Sequence, residues 1–234
     1  MTVPGLGRKG QVAVLHTRRG RSALAAALLA AVVASCGSPA DDAPPPPVTE
    51  TRTVTMQPFE PDGDLKPGLR VEQEVSGRCV PSVLSPDNDL ARRCFATETS
   101  VAMDPCFVPE PDVGRRLVAH DELRKLGVIT VAVCLAAPDQ TDLTRIYVAD
   151  DTGVYGLPWD DVDPHWALEL ADGTQCVKVF GVREIREELH LSYTCDDGGY
   201  LYGIPDEEPP VWLIHHRDED SDELVYTEVR TAWK

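Results

Sequence analysis

The sequence predicts a mainly β fold, either an antiparallel meander or a small sandwich or barrel, with few short helices and several disulfides. An α+β fold is the alternative. Three observations support the prediction: many short segments of strand composition, a single good helix candidate, and cysteines in a chain with an export leader. The strand candidates are 69–75, 128–135, 145–149, 166–171, 174–181, 189–195, 200–204, 211–216 and 224–230.

The helix candidate is 114–126, and two turns set the expected strand pairing of the C-terminal half. Asp172-Gly173 is a two-residue hairpin signal that would place Leu168 opposite Val177. A second hairpin, turning near 184–186, would place Cys176 opposite Cys195. With a further turn at 196–199, these pairings predict an antiparallel meander.

The charge of the chain excludes two classes of function. Among 234 residues, 22 are basic and 39 acidic. Five of the basic residues precede Cys36 and no acidic residue does, so residues 37–234 carry 17 basic and 39 acidic side chains, a net charge of −22. Nucleic-acid binding needs Lys and Arg for phosphate contacts, and docking on anionic lipid through a basic patch needs them as well.

Residues 1–35 are predicted to be a lipoprotein signal peptide. Residues 1–21 are cationic, and 22–35 form an uncharged apolar run. As a helix this run would cover only about 21 Å, too short for a hydrocarbon core of about 30 Å. It ends in Val33-Ala34-Ser35-Cys36, which resembles a bacterial lipobox. Cys36 would carry a diacylglyceryl anchor with palmitate-type chains and begin the mature protein, placing it on the extracytoplasmic face of the cell membrane.

Two arginines in the leader bear on the predicted export route. Arg18-Arg19 invites a twin-arginine interpretation, but Gly20-Arg21-Ser22 lacks the usual hydrophobic pair, so the general secretory route is favoured.

Residues 36–66 are rich in Pro and Asp and predict an extended tether, reaching about 90 Å at roughly 3.1 Å per residue. Residues 67–234 are then expected to form one domain.

Six cysteines remain once Cys36 is assigned to the lipid, and an even number in an exported domain predicts disulfides. The hairpin register favours Cys176–Cys195, while Cys79–Cys94 and Cys106–Cys134 would close local loops. Fifteen pairings are open in principle. No two of these cysteines are closer than twelve positions, a spacing unlike that of zinc sites, so no metal or cofactor is expected.

The block from Gly77 to Phe107 resembles a segment of uncharacterised secreted proteins and lipoproteins of high-GC Gram-positive bacteria. It reads GRCVPSVLSPDNDLARRC, then MDPCF. The matching residues are Cys79, Ser82, Ser85, Arg93, Cys94, Asp104, Pro105, Cys106 and Phe107. The chain departs from that pattern at 88–91, which lack an aromatic residue, and at the terminal Lys234. The resemblance implies an envelope location and disulfides, and it implies no activity.

Catalytic motifs are absent beyond the predicted leader: residues 37–234 contain no GxSxG, HExxH, GxGxxG or P-loop. The densest polar and aromatic cluster is a candidate sugar site, although a solvated acidic loop leading into a core strand is favoured. That cluster comprises Trp159, Asp160, Asp161, Asp163, His165 and Trp166.

Two further patterns could suggest a metal site. The alternation of Asp218, Asp220 and Asp222 fails the EF-hand pattern, because Glu223 and Val229 occupy its Gly and Glu positions. His215 and His216 would point to opposite faces of a strand and are expected to be a surface pair.

These observations favour a non-enzymatic, lipid-anchored envelope protein that presents a binding surface to an envelope protein or a cell-wall component, without nucleic acid. Two alternatives stay open. One is a glycan or peptide hydrolase that uses a carboxylate pair, which needs a concave pocket with carboxylates or a His. The other is a cation-binding lipoprotein with carboxylates clustered about one loop.

Overall fold

The computed structural model confirms the mainly β class, with thirteen strands and two short helices in the residues it describes. Those residues are 46–97, 102–119, 121–151, 164–179, 181–182 and 184–234. The predicted leader, the predicted lipobox and Cys36 lie outside them. Within this part of the chain, no helix combines the length and apolar character needed to cross a membrane.

The first of two closed sheets is a five-stranded barrel in which each strand pairs antiparallel with the next strand along the chain. Parallel pairing of its first strand with its fifth strand closes the barrel. Its strands are β2 (Arg70–Pro81), β3 (Ala91–Ala96), β4 (Ala102–Phe107), β5 (Thr130–Cys134) and β6 (Asp142–Asp151). Neither β3 nor β4 was predicted, because ARRCFA is charged, AMDPCF contains a proline, and neither segment has the composition typical of a strand.

Close packing inside this barrel explains one glycine. Gly77 lies in β2 where that strand contacts both β3 and β6. A Cβ atom at Gly77 would lie 2.5 Å from the carbonyl oxygen of Phe95 and 3.0 Å from Ile146. The absence of a side chain therefore lets the two neighbouring strands approach β2 at the same point.

The single predicted helix 114–126 is two short helices, α1 (Pro111–Leu117) and α2 (Asp121–Lys125). Helix α1 begins earlier than the predicted helix, at Pro111, because proline fits the first turn of a helix. Gly127, with φ of +75°, follows the end of α2. The predicted apolar face is only partly correct, because Leu126 is 73% exposed.

The second closed sheet contains the predicted meander. Antiparallel pairing joins β10 (Leu189–Cys195), β11 (Tyr200–Asp206), β12 (Trp212–Arg217) and β13 (Val225–Trp233) in order. β7 (Ala167–Leu170) pairs with β13, and β8 (Gln175–Lys178) pairs with β7 and β10, which closes the ring. A short strand, β9 (Ile185–Arg186), pairs with the start of β10.

The predicted register of the β7–β8 hairpin is wrong by one residue. Leu168 lies opposite Cys176, not Val177. The loop is one residue longer than expected, because Gly173 adopts φ of +101° after Asp172 and the amide of Leu170 donates to the carbonyl of Thr174. Leu168 and Leu170 still face the core, and Cys176 joins them there.

The turn of the next hairpin is also displaced from the predicted 184–186. It lies at Glu187-Glu188, whose φ angles of +48° and +69° suit a two-residue turn between paired Arg186 and Leu189. Two glutamates are rare in this conformation, so the sequence carried no turn signal here. The pairing of Cys176 with Cys195 is as predicted, because the register changes farther along the hairpin.

The predicted tether boundary at residue 66 is wrong, because the chain joins the fold earlier. β1 (Arg52–Val54) pairs in parallel with the last part of β13. Thr51 donates to the carbonyl of Val229 and accepts from the amide of Trp212, and Phe59 is 5% exposed in the core. Proline density suggested a free linker, but backbone pairing and one aromatic side chain suffice to attach it.

Three hydrophobic clusters stabilise the fold. One fills the five-stranded barrel and contains four of the disulfide cysteines, and a second fills the other barrel. The third joins residues of both sheets, with the rings of Phe107 and Trp166 6.1 Å apart. Trp166 is 1% exposed, so it fixes the second sheet against the first.

We expect Trp166→Ala to lower the free energy of unfolding by about 3–5 kcal/mol, because it leaves a cavity in the shared cluster. Trp166→Phe should recover most of that loss, since it keeps a ring and removes a buried indole N–H that has no hydrogen-bond partner among the described residues. Urea denaturation measures both. An alanine variant as stable as the phenylalanine variant would contradict the assigned role.

Candidate functional site

All three predicted disulfides are confirmed. Each bond joins cysteines directly opposite one another on neighbouring antiparallel strands. The pairs are Cys79–Cys94, Cys106–Cys134 and Cys176–Cys195. The sulfur atoms of Cys94, Cys106 and Cys134 lie within 4.8 Å of one another. Because each is held in a disulfide, none offers the thiolate that metal binding or nucleophilic attack requires.

The outer face of the second barrel carries a groove of about 350 Å³. Strands β10 to β13 and the Glu187-Glu188 turn form its walls. The groove is lined by Glu188, Leu189, His190, Ser192, Gly203, Ile204, Asp206, Leu213, His215 and Tyr226. Two of its apolar side chains, Ile204 and Tyr226, are 66% and 65% exposed, respectively.

A bulge in β11 helps to shape the groove. The cross-strand register shifts between Tyr202 and Asp206, and Gly203 adopts φ of +78° within that interval. The bulge presents Ile204 to solvent. The sequence analysis did not identify Ile204, Tyr226 or Glu188, and the glycine inside LYGIP was the one available signal for the bulge.

His215 and His216 lie on opposite faces of β12, as the strand alternation predicted. The His215 ring lies in the groove, with its centroid 4.2 Å from that of Tyr226. His216 is 8% exposed, so the expectation of a surface pair is wrong for this residue. It shares its face with Ile214, which packs in the barrel core.

A polar network stabilises the strands beside the groove. Tyr202 donates to Glu184 at 2.7 Å and accepts from Arg217 at 3.3 Å, and the Arg217 guanidinium lies 4.4 Å from the centroid of Tyr200. Hydrogen bonds from Tyr202 and Arg186 lower the pKa of Glu184. Burial, followed by the bond to Glu184, raises the pKa of Tyr202. These bonds hold the segment before β9 against β11 and β12.

Asp104 is a partly buried carboxyl group in the first barrel. It accepts a hydrogen bond from the Ser82 hydroxyl at 2.5 Å and one from the Val83 amide at 3.2 Å. Ser82 in turn accepts from the amides of Leu84 and Ser85. Burial raises the pKa of Asp104 to about 6, and no neighbouring carboxylate contributes to that rise among the described residues. These hydrogen bonds hold the loop at residues 82–85 in place, a structural role that differs from that of a catalytic carboxylate pair.

The predicted polar and aromatic cluster lies partly outside the described residues, which do not include Trp159, Asp160, Asp161 or Asp163. His165 and Trp166 are each 1% exposed, and Trp166 packs in the shared core as favoured. Its ring is therefore not free to stack on a sugar. In the other acidic segment, Asp218 and Asp222 are exposed, and Asp222 forms an ion pair with Arg186 at 3.0 Å.

Comparisons of the chain with protein-family models, with curated protein sequences and with solved structures found no match.

Titration of Asp104 is expected to make stability depend on pH. At a pH well below about 4 this carboxyl is protonated whether the chain is folded or unfolded. Between about pH 4 and the raised folded pKa of about 6, the unfolded chain releases this proton while the folded chain keeps it, so stability falls with rising pH until both states are ionised. Relative to Asp104→Asn, the wild type should lose about 2–3 kcal/mol between pH 4 and pH 7 in urea unfolding. A difference between the two proteins that stays constant with pH would contradict this.

Proposed function

We propose that the chain is a lipid-anchored binding protein of the cell envelope, held by Cys36 on the extracytoplasmic face of the membrane. The cationic leader, the short apolar run and Val33-Ala34-Ser35-Cys36 support the anchor. Three disulfides support the export, because they persist in an oxidising compartment and are rare in the cytosol.

The groove on the second barrel is the proposed binding surface, and it is the observation on which the function rests. Exposed Ile204 and Tyr226 stand together in a concavity rather than singly on the surface. Apolar side chains that remain exposed in a groove mark sites of interaction. The closed sheet leaves β10 to β13 paired on both sides, so recognition would depend on side chains rather than on strand addition.

We assign to the groove a segment of a partner protein that carries apolar side chains next to Lys or Arg. Glu188 and Asp206 border the apolar lining. The chain beyond the leader has a net charge of −22, which would attract and steer a basic partner. Tyr226, whose ring is tilted against that of His215, provides an aromatic anchor of the kind that dominates binding energy at interfaces.

The polar lining of the same groove favours a second candidate, a peptide or glycan hydrolase. His190 and His215 lie there with Glu188 and Asp206, and general acid–base catalysis uses such groups. Cleavage of peptide or release of fragments from peptidoglycan, lost in His190→Ala, would establish the hydrolase in place of the binding protein.

The anchor predicts a mass increment on Cys36. Protein from its native membrane should carry a diacylglyceryl group, begin at residue 36 and partition into detergent, and Cys36→Ala should lose all three properties. Intact mass spectrometry and detergent partitioning measure them. Alkylation with and without reduction, on the same samples, serves as the control by counting the three disulfides. An unmodified Cys36 with a retained leader would contradict the anchor.

The groove predicts selective binding of a basic apolar peptide. The mature chain from residue 36, made lipid-free by Cys36→Ala, should bind a decapeptide of alternating Leu and Lys more tightly than one of alternating Leu and Glu. Ile204→Ser and Tyr226→Ser should each weaken binding about 5- to 30-fold, the range for losing an interface anchor. Fluorescence titration measures the affinities.

The matched control for these variants is Leu126→Ser. Leu126 is 73% exposed but lies outside the groove, so its loss should leave peptide binding unchanged. Equal binding of the acidic peptide, or equal weakening by all three substitutions, would contradict the groove as the binding site.

A further inference from the structure

We propose that Asp197 and His216, together with Glu219, form a binding site for a divalent transition-metal ion of the Zn²⁺ type. The site lies at the end of the second barrel, where the turn between β10 and β11 meets the end of β12. Ligand atoms of Asp197 and His216 lie within 4.8 Å of each other. Among the described residues, they form a cluster separate from the groove, so the inference does not rest on the groove.

The imidazole of His216 is the observation that points to a ligand. Its Nε2 atom is buried and has no hydrogen-bond partner in the part of the chain that the structure describes, and the residue is only 8% exposed. A buried polar atom without a partner costs free energy, and native structures contain few of them. Metal coordination would satisfy this nitrogen, because the neutral imidazole offers a lone pair there.

The other ring nitrogen of His216 has the surroundings expected of a metal ligand. Its Nδ1 atom lies 3.8 Å from Oδ1 of the exposed Asp218. Metal-binding histidines commonly direct one ring N–H toward a carboxylate, which orients the ring and leaves the opposite nitrogen for the ion. Asp218 would act here as a positioning residue.

Two glycines keep the space in front of His216 open. A Cβ atom at Gly199 would lie 2.6 Å from His216 Nε2 and 2.9 Å from Asp197 Oδ1. A Cβ atom at Gly198 would lie 2.7 Å from Oε2 of Glu219. The His216 nitrogen and the Asp197 carboxylate therefore flank Gly199, whose amide donates to Asp197 Oδ1 at 2.7 Å, and the Glu219 carboxylate lies beside Gly198, outside the 4.8 Å cluster. Asp197 and Glu219 are exposed, so they can close on an ion without disturbing the core.

The donor set indicates the class of ion. The sulfur of Cys195 lies in the same cluster, but its bond to Cys176 removes it as a thiolate ligand. One imidazole with two carboxylates, completed by water, suits zinc and its neighbours in the first transition series. Calcium and magnesium prefer sites made of oxygen ligands alone.

The test is a calorimetric titration of the full-length chain, purified in detergent without a polyhistidine tag and stripped with chelator. Zn²⁺ alone is the probe. The wild type should bind one ion per chain at this site, and saturation should raise the melting temperature. Asp197→Asn and His216→Gln should each weaken binding at least about 10-fold, since loss of outer-sphere partners alone costs 10- to 100-fold.

Asp220→Asn is the matched control, because it removes an exposed carboxylate from the same acidic segment and should bind Zn²⁺ like the wild type. Asp197→Asn lies on the surface, so it keeps the proposal testable even where His216→Gln fails to fold. Three results would overturn the proposal: no stoichiometric Zn²⁺ binding, Asp197→Asn binding like the wild type, or equal competition by Ca²⁺.

Discussion

The pairing of β13 with β7 is the constraint on which the second half of the structure depends. β13 contacts β12 along its first part, and β7 and β1 along its last part, so a single nine-residue strand closes the sheet and attaches the N-terminal segment. Thr51 joins β12 and β13 at the point where β1 continues alongside β13. Closure fixes the register of β10 to β12, and both the groove and the proposed metal site are arrangements of residues across those strands.

The disulfides reinforce the same registers. Each bond joins directly opposed residues, and a one-residue slip of either strand would turn one sulfur to the other face of its sheet. Two small barrels with little interior volume gain from such cross-links, which restrict the unfolded chain. Such bonds persist in oxidising compartments and are rare in the cytosol, so the architecture agrees with the predicted export leader.

Sequence reasoning predicted the class, the meander and all three disulfides, because strand composition and cysteine spacing are local signals. It failed where contacts between residues distant in the sequence determine the local structure. Residues 51–54 look like linker but gain pairing partners from the far end of the chain. The Glu187-Glu188 turn lacks turn residues and is imposed by the pairing of its flanking strands. The groove was missed because it combines residues of four strands, whose proximity no sequence spacing reveals.

The strand β12 shows how one local pattern can serve two separate surfaces. Its alternation sends His215 outward against Tyr226 and His216 to the face that packs on the core. Because they lie on opposite faces, His215 and His216 cannot coordinate one shared metal ion. The same geometry gives each ring its own surroundings: an apolar groove for His215, and carboxylates around a diglycine turn for His216. Adjacent histidines on a strand therefore need separate assignments, and burial distinguishes them here.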